Sequence, residues 1–232
     1  MMNLAHRRIL AMLPILAIAL CTLAIPAHAA TTVIVLRSGN ALAGNPDPLV
    51  RRLDLATICG AGYATAFGAA EFAAADVAPQ AIVIANPHPN WGTSIPCDPL
   101  AKWVGVDPNG TPLSALYAID LNLPDPCCYT KATLDFCWLV DDALGDTVNP
   151  AGIYVNGTPI PAVAGGNYAT QTTVNGIDIL PLLHCGKNTI YVYDRDLGCV
   201  ISGVNFSATV NLDDCIDPAN STSWGRLKAT YR

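Results

Sequence analysis

Residues 152–210 decide the fold, because they contain GIYVNGT (152–158), IDILPLLHCGKNTIYVY (177–193) and VNFSATV (204–210). Apolar and polar residues alternate with a period of two in these segments, and Asn-Gly and Gly-Lys-Asn turns separate them. No segment with a helical period interrupts the series. The pattern predicts half of an antiparallel β-sandwich.

Further strands are predicted upstream of this stretch, at residues 32–36, 81–85, 116–121 and 132–140. In the last of these, Phe136 and Trp138 share an apolar face, which favours Trp138 as a core residue. The turn-rich residues 37–48 and the proline-rich residues 86–112 are predicted loops. An alanine-rich segment at residues 64–77, ending before a proline, is the one predicted helix. The fold class is therefore all-β, an antiparallel sandwich with one short helix.

The first 29 residues have the features of a secretory signal peptide. Arg7 and Arg8 form a positive start, residues 9–25 are mostly apolar, and Ala-His-Ala (27–29) supplies a cleavage site. An uncleaved membrane anchor and lipidation at Cys21 are the alternatives. We therefore expect a protein that is secreted or held at the cell envelope.

Residues 30–212 are expected to form one β-sandwich domain, and residues 213–232 a more polar tail. Removal of the leader leaves 10 basic and 18 acidic residues, a net charge of −8. This balance excludes nucleic acid and anionic lipid as expected partners, since both require clustered Lys and Arg. No second apolar run reaches the roughly 20 residues of a membrane span, so we expect no membrane contact after cleavage.

An even number of cysteines in an exported chain predicts up to four disulfides. The eight that follow the leader are Cys59, Cys97, Cys127, Cys128, Cys137, Cys185, Cys199 and Cys215. Cys127 and Cys128 are adjacent and are expected to have separate partners, whereas Cys185 and Cys199 could pair locally. Zinc is the alternative, but the chain has no Cys-x-x-Cys pair, and only two histidines follow the leader.

The order of these elements resembles the galactose-binding-domain-like jelly rolls of secreted bacterial proteins. The resemblance is carried by residues 152–158, similar to their "v-x-vNG" hairpin, by residues 177–193, similar to their "di-x-x-lL-x-x-GkN-x-i-x-v" segment, and by the closing strand at residues 203–210. It covers most of residues 32–212, although the cysteine density departs from the usual pattern. The resemblance implies a jelly roll that binds sugars or holds assemblies together, often with a structural calcium ion.

Two groups of oxygen-bearing side chains are candidate calcium ligands. One is the loop that follows the Trp138 strand, with Asp141, Asp142 and Asp146; the other is the opening loop, with Asn40, Asn45 and Asp47. For the first group, a solvated turn whose carboxylates cap their own backbone is the alternative.

Aromatic side chains are candidates for stacking on a sugar. Trp91 and Trp103 occupy predicted loops and, with Tyr168, form the expected ligand surface, although anchoring of the loops is the alternative for the two tryptophans. Catalysis by Asp194 and Asp196 is disfavoured, because neighbouring carboxylates at one strand end point apart rather than across a cleft.

These observations lead to one functional hypothesis with two alternatives. The chain is expected to be an exported, non-enzymatic sandwich that binds carbohydrate or has a structural or adhesive role at the cell envelope. The alternatives are an extracellular hydrolase that acts on polysaccharide, and a subunit of an extracellular assembly docked through its C-terminal tail.

Overall fold

A computed structural model of the chain describes residues 31–55, 61–123, 129–161 and 163–215. One α-helix, α1, spans Ala69–Asp76, and a 3₁₀ turn spans Leu180–Leu182. The strands in the described residues are β1 (Thr31–Arg37), β2 (Pro46–Asp54), β3 (Gln80–Val83), β4 (Val104–Gly105), β5 (Ala115–Leu123), β6 (Tyr129–Asp141), β7 (Ala143–Leu144), β8 (Ile153–Val155), β9 (Thr158–Pro159), β10 (Thr172–Asp178), β11 (Gly186–Arg195) and β12 (Gly203–Asp214).

All the strands pair antiparallel in one curled sheet with the order β10-β6-β12-β4-β3-β2-β5-β11-β8-β9. We call β10, β6, β12 and β1, which pairs with β12, the first half of the sheet. The second half runs from β3 to β9 and includes β7, which pairs with β11. The short strand β4 joins the two halves through one residue pairing with β12 and two with β3.

One apolar core collects side chains from both halves of the sheet. Phe136, Trp138 and Phe206 come from the first half, and Tyr117 and Val192 come from the second. Alternation along each strand sends every second side chain into this core. Burial of these side chains drives the two halves together. The antiparallel pairing of the strands confirms the all-β fold class, which is compatible with a β-sandwich. The jelly-roll strand order stays a prediction.

Helix α1 covers the outer face of the second half of the sheet. The Glu71 carboxylate accepts a hydrogen bond from the Gly68 amide at 2.9 Å and closes the first helical turn. Phe72 is buried, with ring centroids 4.7 Å from Tyr191 and 5.3 Å from Tyr154. Because the helix is only eight residues long, it depends on this aromatic contact for its stability.

A loop spanning residues 84–103 covers the outer face of the first half; we call it the covering loop. A disulfide joins Cys97 in the loop to Cys137 in β6, with 6.7 Å between the Cα atoms. Trp91 packs in the same apolar cluster as Leu139 of β6. Asn205 on β12, which pairs with Leu139, is fully buried.

The predicted Asn-Gly hairpin is confirmed. Asn156 and Gly157 have φ of 49° and 80° and connect β8 to β9, as a type I′ turn requires. The Asn156 side chain also accepts a hydrogen bond from the Thr189 amide at 2.9 Å and donates to the Leu182 carbonyl at 2.8 Å. The turn therefore also ties the hairpin to β11 and to the 3₁₀ turn.

Several boundaries differ from the sequence predictions. The predicted helix at residues 64–77 begins only at Ala69, because the preceding residues form a loop over Tyr193. Residues 46–48, predicted as part of a turn-rich loop, begin strand β2, and β10 was not predicted at all. The last strand ends at Asp214, two residues beyond residue 212, where the domain was predicted to end.

The predicted signal peptide and residues 216–232 lie outside the described residues, as do Cys59, Cys127 and Cys128. Within the described residues, a disulfide joins Cys97 to Cys137, and Cys199 and Cys215 each take part in a disulfide as well. The predicted local pairing of Cys185 with Cys199 is wrong, because Cys199 forms its disulfide with a different cysteine.

Candidate functional site

The two loop tryptophans do not form an exposed surface for stacking on a sugar. Trp91 and Trp103 are each 4 % exposed, and their rings stack on one another at 4.1 Å between centroids. The indole nitrogen of Trp91 donates to the Asp141 carboxylate at 2.7 Å, and that of Trp103 donates to the Gly92 carbonyl at 2.8 Å. Both side chains therefore anchor the covering loop, whereas Tyr168 is 38 % exposed.

The opening-loop acid organises its own turn. Asp47 is fully buried, and Asn45 on the same loop is exposed. The Asp47 carboxylate accepts hydrogen bonds from the backbone amides of Gly39, Asn40, Leu49 and Val50. Its oxygens are thus occupied by backbone donors, which is how a short Asx-rich loop satisfies buried amides without a metal ion.

Asp146 is separated from Asp141 and Asp142 by its contacts. Its carboxylate accepts hydrogen bonds from the Tyr193 hydroxyl at 2.7 Å and from the Tyr63 amide at 2.8 Å, on the outer face that helix α1 also covers. Burial raises its pKa, but these bonds and those from the backbone outweigh burial and hold the pKa below the ordinary value. The three predicted calcium ligands of this loop therefore do not converge on one point.

Four carboxyl groups do meet where β6 and β11 end: Asp141, Asp142, Asp194 and Asp196. Asp142 accepts hydrogen bonds from the amides of Leu197 and Gly198, each at 2.6 Å. Asp196 accepts from the Cys199 amide at 2.8 Å, and Asp194 accepts from the Ser202 hydroxyl at 3.0 Å. These bonds fasten the loop between β11 and β12 to the end of the sheet.

Burial controls the protonation of this carboxyl cluster. Burial, followed by the neighbouring Asp142 carboxyl, raises the pKa of Asp141 to about 7. Burial also raises the pKa of Asp194 well above its ordinary value, with the other carboxyl groups adding to the effect. Asp141 is 6 % exposed and Asp194 is fully buried, so neither carboxyl can reach a polymeric substrate. Raised carboxyl pKa values are typical of catalytic acids, but here they accompany a packed interior.

Across residues 31–55, 61–123, 129–161 and 163–215, no group of three or more His, Cys, Asp or Glu side chains is placed to hold a metal ion. The calcium ion expected from the sequence stays a prediction. Its candidate carboxylates all have protein hydrogen-bond donors of their own.

A groove of about 460 Å³ lies where β2 ends and β3 begins; we call it the β2 groove. Its volume falls within the range of small-molecule sites. Three polar and five apolar residues line the groove. The lining residues are Arg52, Leu53, Asp54, Ala78, Pro79, Gln80, Ile82 and Val106.

The polar side chains of the β2 groove have distinct exposures. Arg52 is buried and pairs with the Asp54 carboxylate, whose side chain is 53 % exposed. Gln80 is exposed at the start of β3, where it lies opposite Arg51 of β2 in the sheet. The Asp54 carboxylate beside the guanidinium stays accessible to a ligand, and the Gln80 amide offers one acceptor and two donors nearby.

Sequence reasoning missed these groove residues. Arg52 and Asp54 fall in PDPLVRRLD (46–54), where the prolines favoured a loop and concealed a strand with period-two alternation from Val50 onward. A charged pair at positions i and i+2 lies on one face of a strand, and this was the available signal.

No protein-family model matches the chain, and no curated protein matches it. Among the described residues, no helix combines the length and the apolar composition that a membrane crossing needs.

Proposed function

We propose that this protein is an exported, non-enzymatic β-sandwich protein that binds carbohydrate in the β2 groove. The observation that carries the proposal is the pairing of a half-exposed Asp54 carboxylate with a buried guanidinium inside a 460 Å³ groove. Sugars present neighbouring hydroxyl groups and apolar C–H faces. The groove offers hydrogen-bonding groups at Asp54 and Gln80 beside the apolar side chains of Ile82 and Val106.

The galactose-binding-domain-like assignment is part of the same proposal. It is supported by the antiparallel sheet, by the confirmed hairpin at Asn156 and by the position of β11 beside β5. The fold alone is a weak guide to function, so the support for carbohydrate binding comes from the side chains of the groove.

The polysaccharide hydrolase alternative receives less support. It requires two carboxyl groups facing each other across an accessible cleft, whereas Asp141 and Asp194 are buried. The assembly alternative depends on residues 216–232, which lie outside the described residues. A structural or adhesive role at the cell envelope is the outcome if no sugar binds.

A glycan array probed with the purified protein, once with calcium and once with EDTA, tests the proposal. Ala78→Trp should abolish binding, because Ala78 lines the groove and the indole would fill it. Val77→Trp is the matched control, since Val77 is 83 % exposed and does not line the groove. Binding by neither the wild type nor the control would refute carbohydrate binding. Binding unchanged in Ala78→Trp would place the sugar elsewhere.

A further inference from the structure

A second groove of about 310 Å³ lies beside the first, between β2 and helix α1; we call it the helix groove. Leu53 and Asp54 line both grooves, so the two grooves adjoin at the end of β2. The lining residues of the helix groove are Leu53, Asp54, Leu55, Tyr63, Ala70, Glu71 and Ala74.

The helix groove contains the aromatic ring of Tyr63, which lies where a sugar could pack against it. Tyr63 is partly exposed, stacks on Phe67 at 5.2 Å between centroids, and has its hydroxyl 3.4 Å from the Glu71 carboxylate. Its ring is therefore held in one orientation at the groove wall. A fixed, partly exposed aromatic ring is the kind of surface on which the apolar face of a sugar packs.

The charges around the two grooves select among possible sugars. Asp54 and Glu71 place two carboxylates on the walls, and the hydrogen bond from the Gly68 amide, the largest effect, lowers the pKa of Glu71. The single guanidinium, Arg52, is buried and already paired. An anionic glycan would be repelled, whereas a neutral one can donate hydroxyl hydrogen bonds to both carboxylates.

We propose that the two grooves form one elongated site for a neutral, linear oligosaccharide, with one sugar unit in the β2 groove and the next against Tyr63 in the helix groove. This inference rests on the proposed function and adds the substrate class. Asp54, which lines both grooves, would accept hydrogen bonds from the hydroxyl groups of two adjoining sugar units.

Calorimetric titrations test the inference, with glucose and cellotetraose as one pair of probes and galactose and β-1,4-galactotetraose as the other. We expect the wild type to bind one tetrasaccharide at least about tenfold more tightly than its monosaccharide, which corresponds to about 1.4 kcal/mol. Ala74→Trp should remove that advantage by filling the helix groove while leaving monosaccharide binding unchanged. Ala73→Trp is the matched control, because Ala73 is exposed on the same helix and does not line the groove.

Tyr63 provides a second, smaller perturbation. Tyr63→Phe should keep the tetrasaccharide advantage and Tyr63→Ala should lose it, because only the second change removes the ring. If the tetrasaccharide and the monosaccharide bind equally, or if Ala74→Trp binds the tetrasaccharide as the wild type does, the elongated site is wrong and the single-groove function stands. If the array finds only anionic glycans, the neutral class is wrong. If it finds none, the proposed function itself falls.

Discussion

Replacement of Asp141 by asparagine should make the protein more stable at pH 8. The carboxyl group is 6 % exposed, and burial together with Asp142 raises its pKa from 3.8 to about 7. Asparagine has the same shape, cannot ionise, and keeps an oxygen for the hydrogen bond from the Trp91 indole. The variant therefore removes the charge and preserves the contact.

The sign follows from the raised pKa. Between pH 3.8 and 7 the folded protein keeps a proton on Asp141 that the unfolded chain has released, so stability falls as pH rises through this window. Each pKa unit corresponds to about 1.4 kcal/mol, which gives at most about 4 kcal/mol between pH 4 and pH 8. Asp194 adds to the same trend, because burial raises its pKa too.

Urea unfolding at pH 4.5, about 6 and about 8, with the disulfides intact, measures this effect. The wild type should lose stability as the pH rises, and Asp141→Asn should show a flatter profile and exceed the wild type by up to about 4 kcal/mol at pH 8. Asp142→Asn weakens the bonds from the Leu197 and Gly198 amides, which should cost about 1–3 kcal/mol. It should also make the pH profile shallower, because the Asp142 carboxyl contributes to the raised pKa of Asp141. Wild-type stability that rises from pH 5 to 8, or an Asp141→Asn variant less stable than wild type at pH 8, would refute the reasoning.

Three further perturbations test the packing of the fold. Replacing Cys97 and Cys137 by serine opens a loop of 40 residues and should cost about 4 kcal/mol in urea unfolding; an unchanged midpoint would show that the bridge is not what retains the covering loop. Phe72→Ala should cost about 3–5 kcal/mol, because the buried ring joins α1 to Tyr191; circular dichroism melts measure it, and a loss below about 1 kcal/mol would contradict this anchoring role. Gly157→Ala should cost about 1–2 kcal/mol in the same melts, since φ is 80° and the added methyl group would lie 3.1 Å from the Phe72 ring; a neutral result would contradict the turn assignment.

Local patterns in the sequence predicted most of the strands. The alternation around Phe136 and Phe206 placed both rings in the core, and the Asn156–Gly157 dipeptide located its hairpin. These features depend on neighbours in the chain, so a single sequence displays them.

The candidate site depended on long-range contacts and was predicted less well. Trp91 and Trp103 lie in a loop, and only the fold shows that they stack on each other beneath the surface. The β2 groove brings Arg52 and Asp54 against Gln80 and Val106, which lie 26 or more residues away in the sequence. Charged residues on a strand that begins with prolines gave no sign of that meeting.

An amide NMR titration of the wild-type protein with the neutral tetrasaccharide that binds best tests the central claim most directly. The account predicts that the largest shift changes occur at Leu53, Gln80 and Val106 around the β2 groove. The outward residues Val33 and Thr209 on the first half of the sheet should remain unchanged. Shift changes concentrated at Val33 and Thr209, or no changes with any neutral glycan, would contradict it.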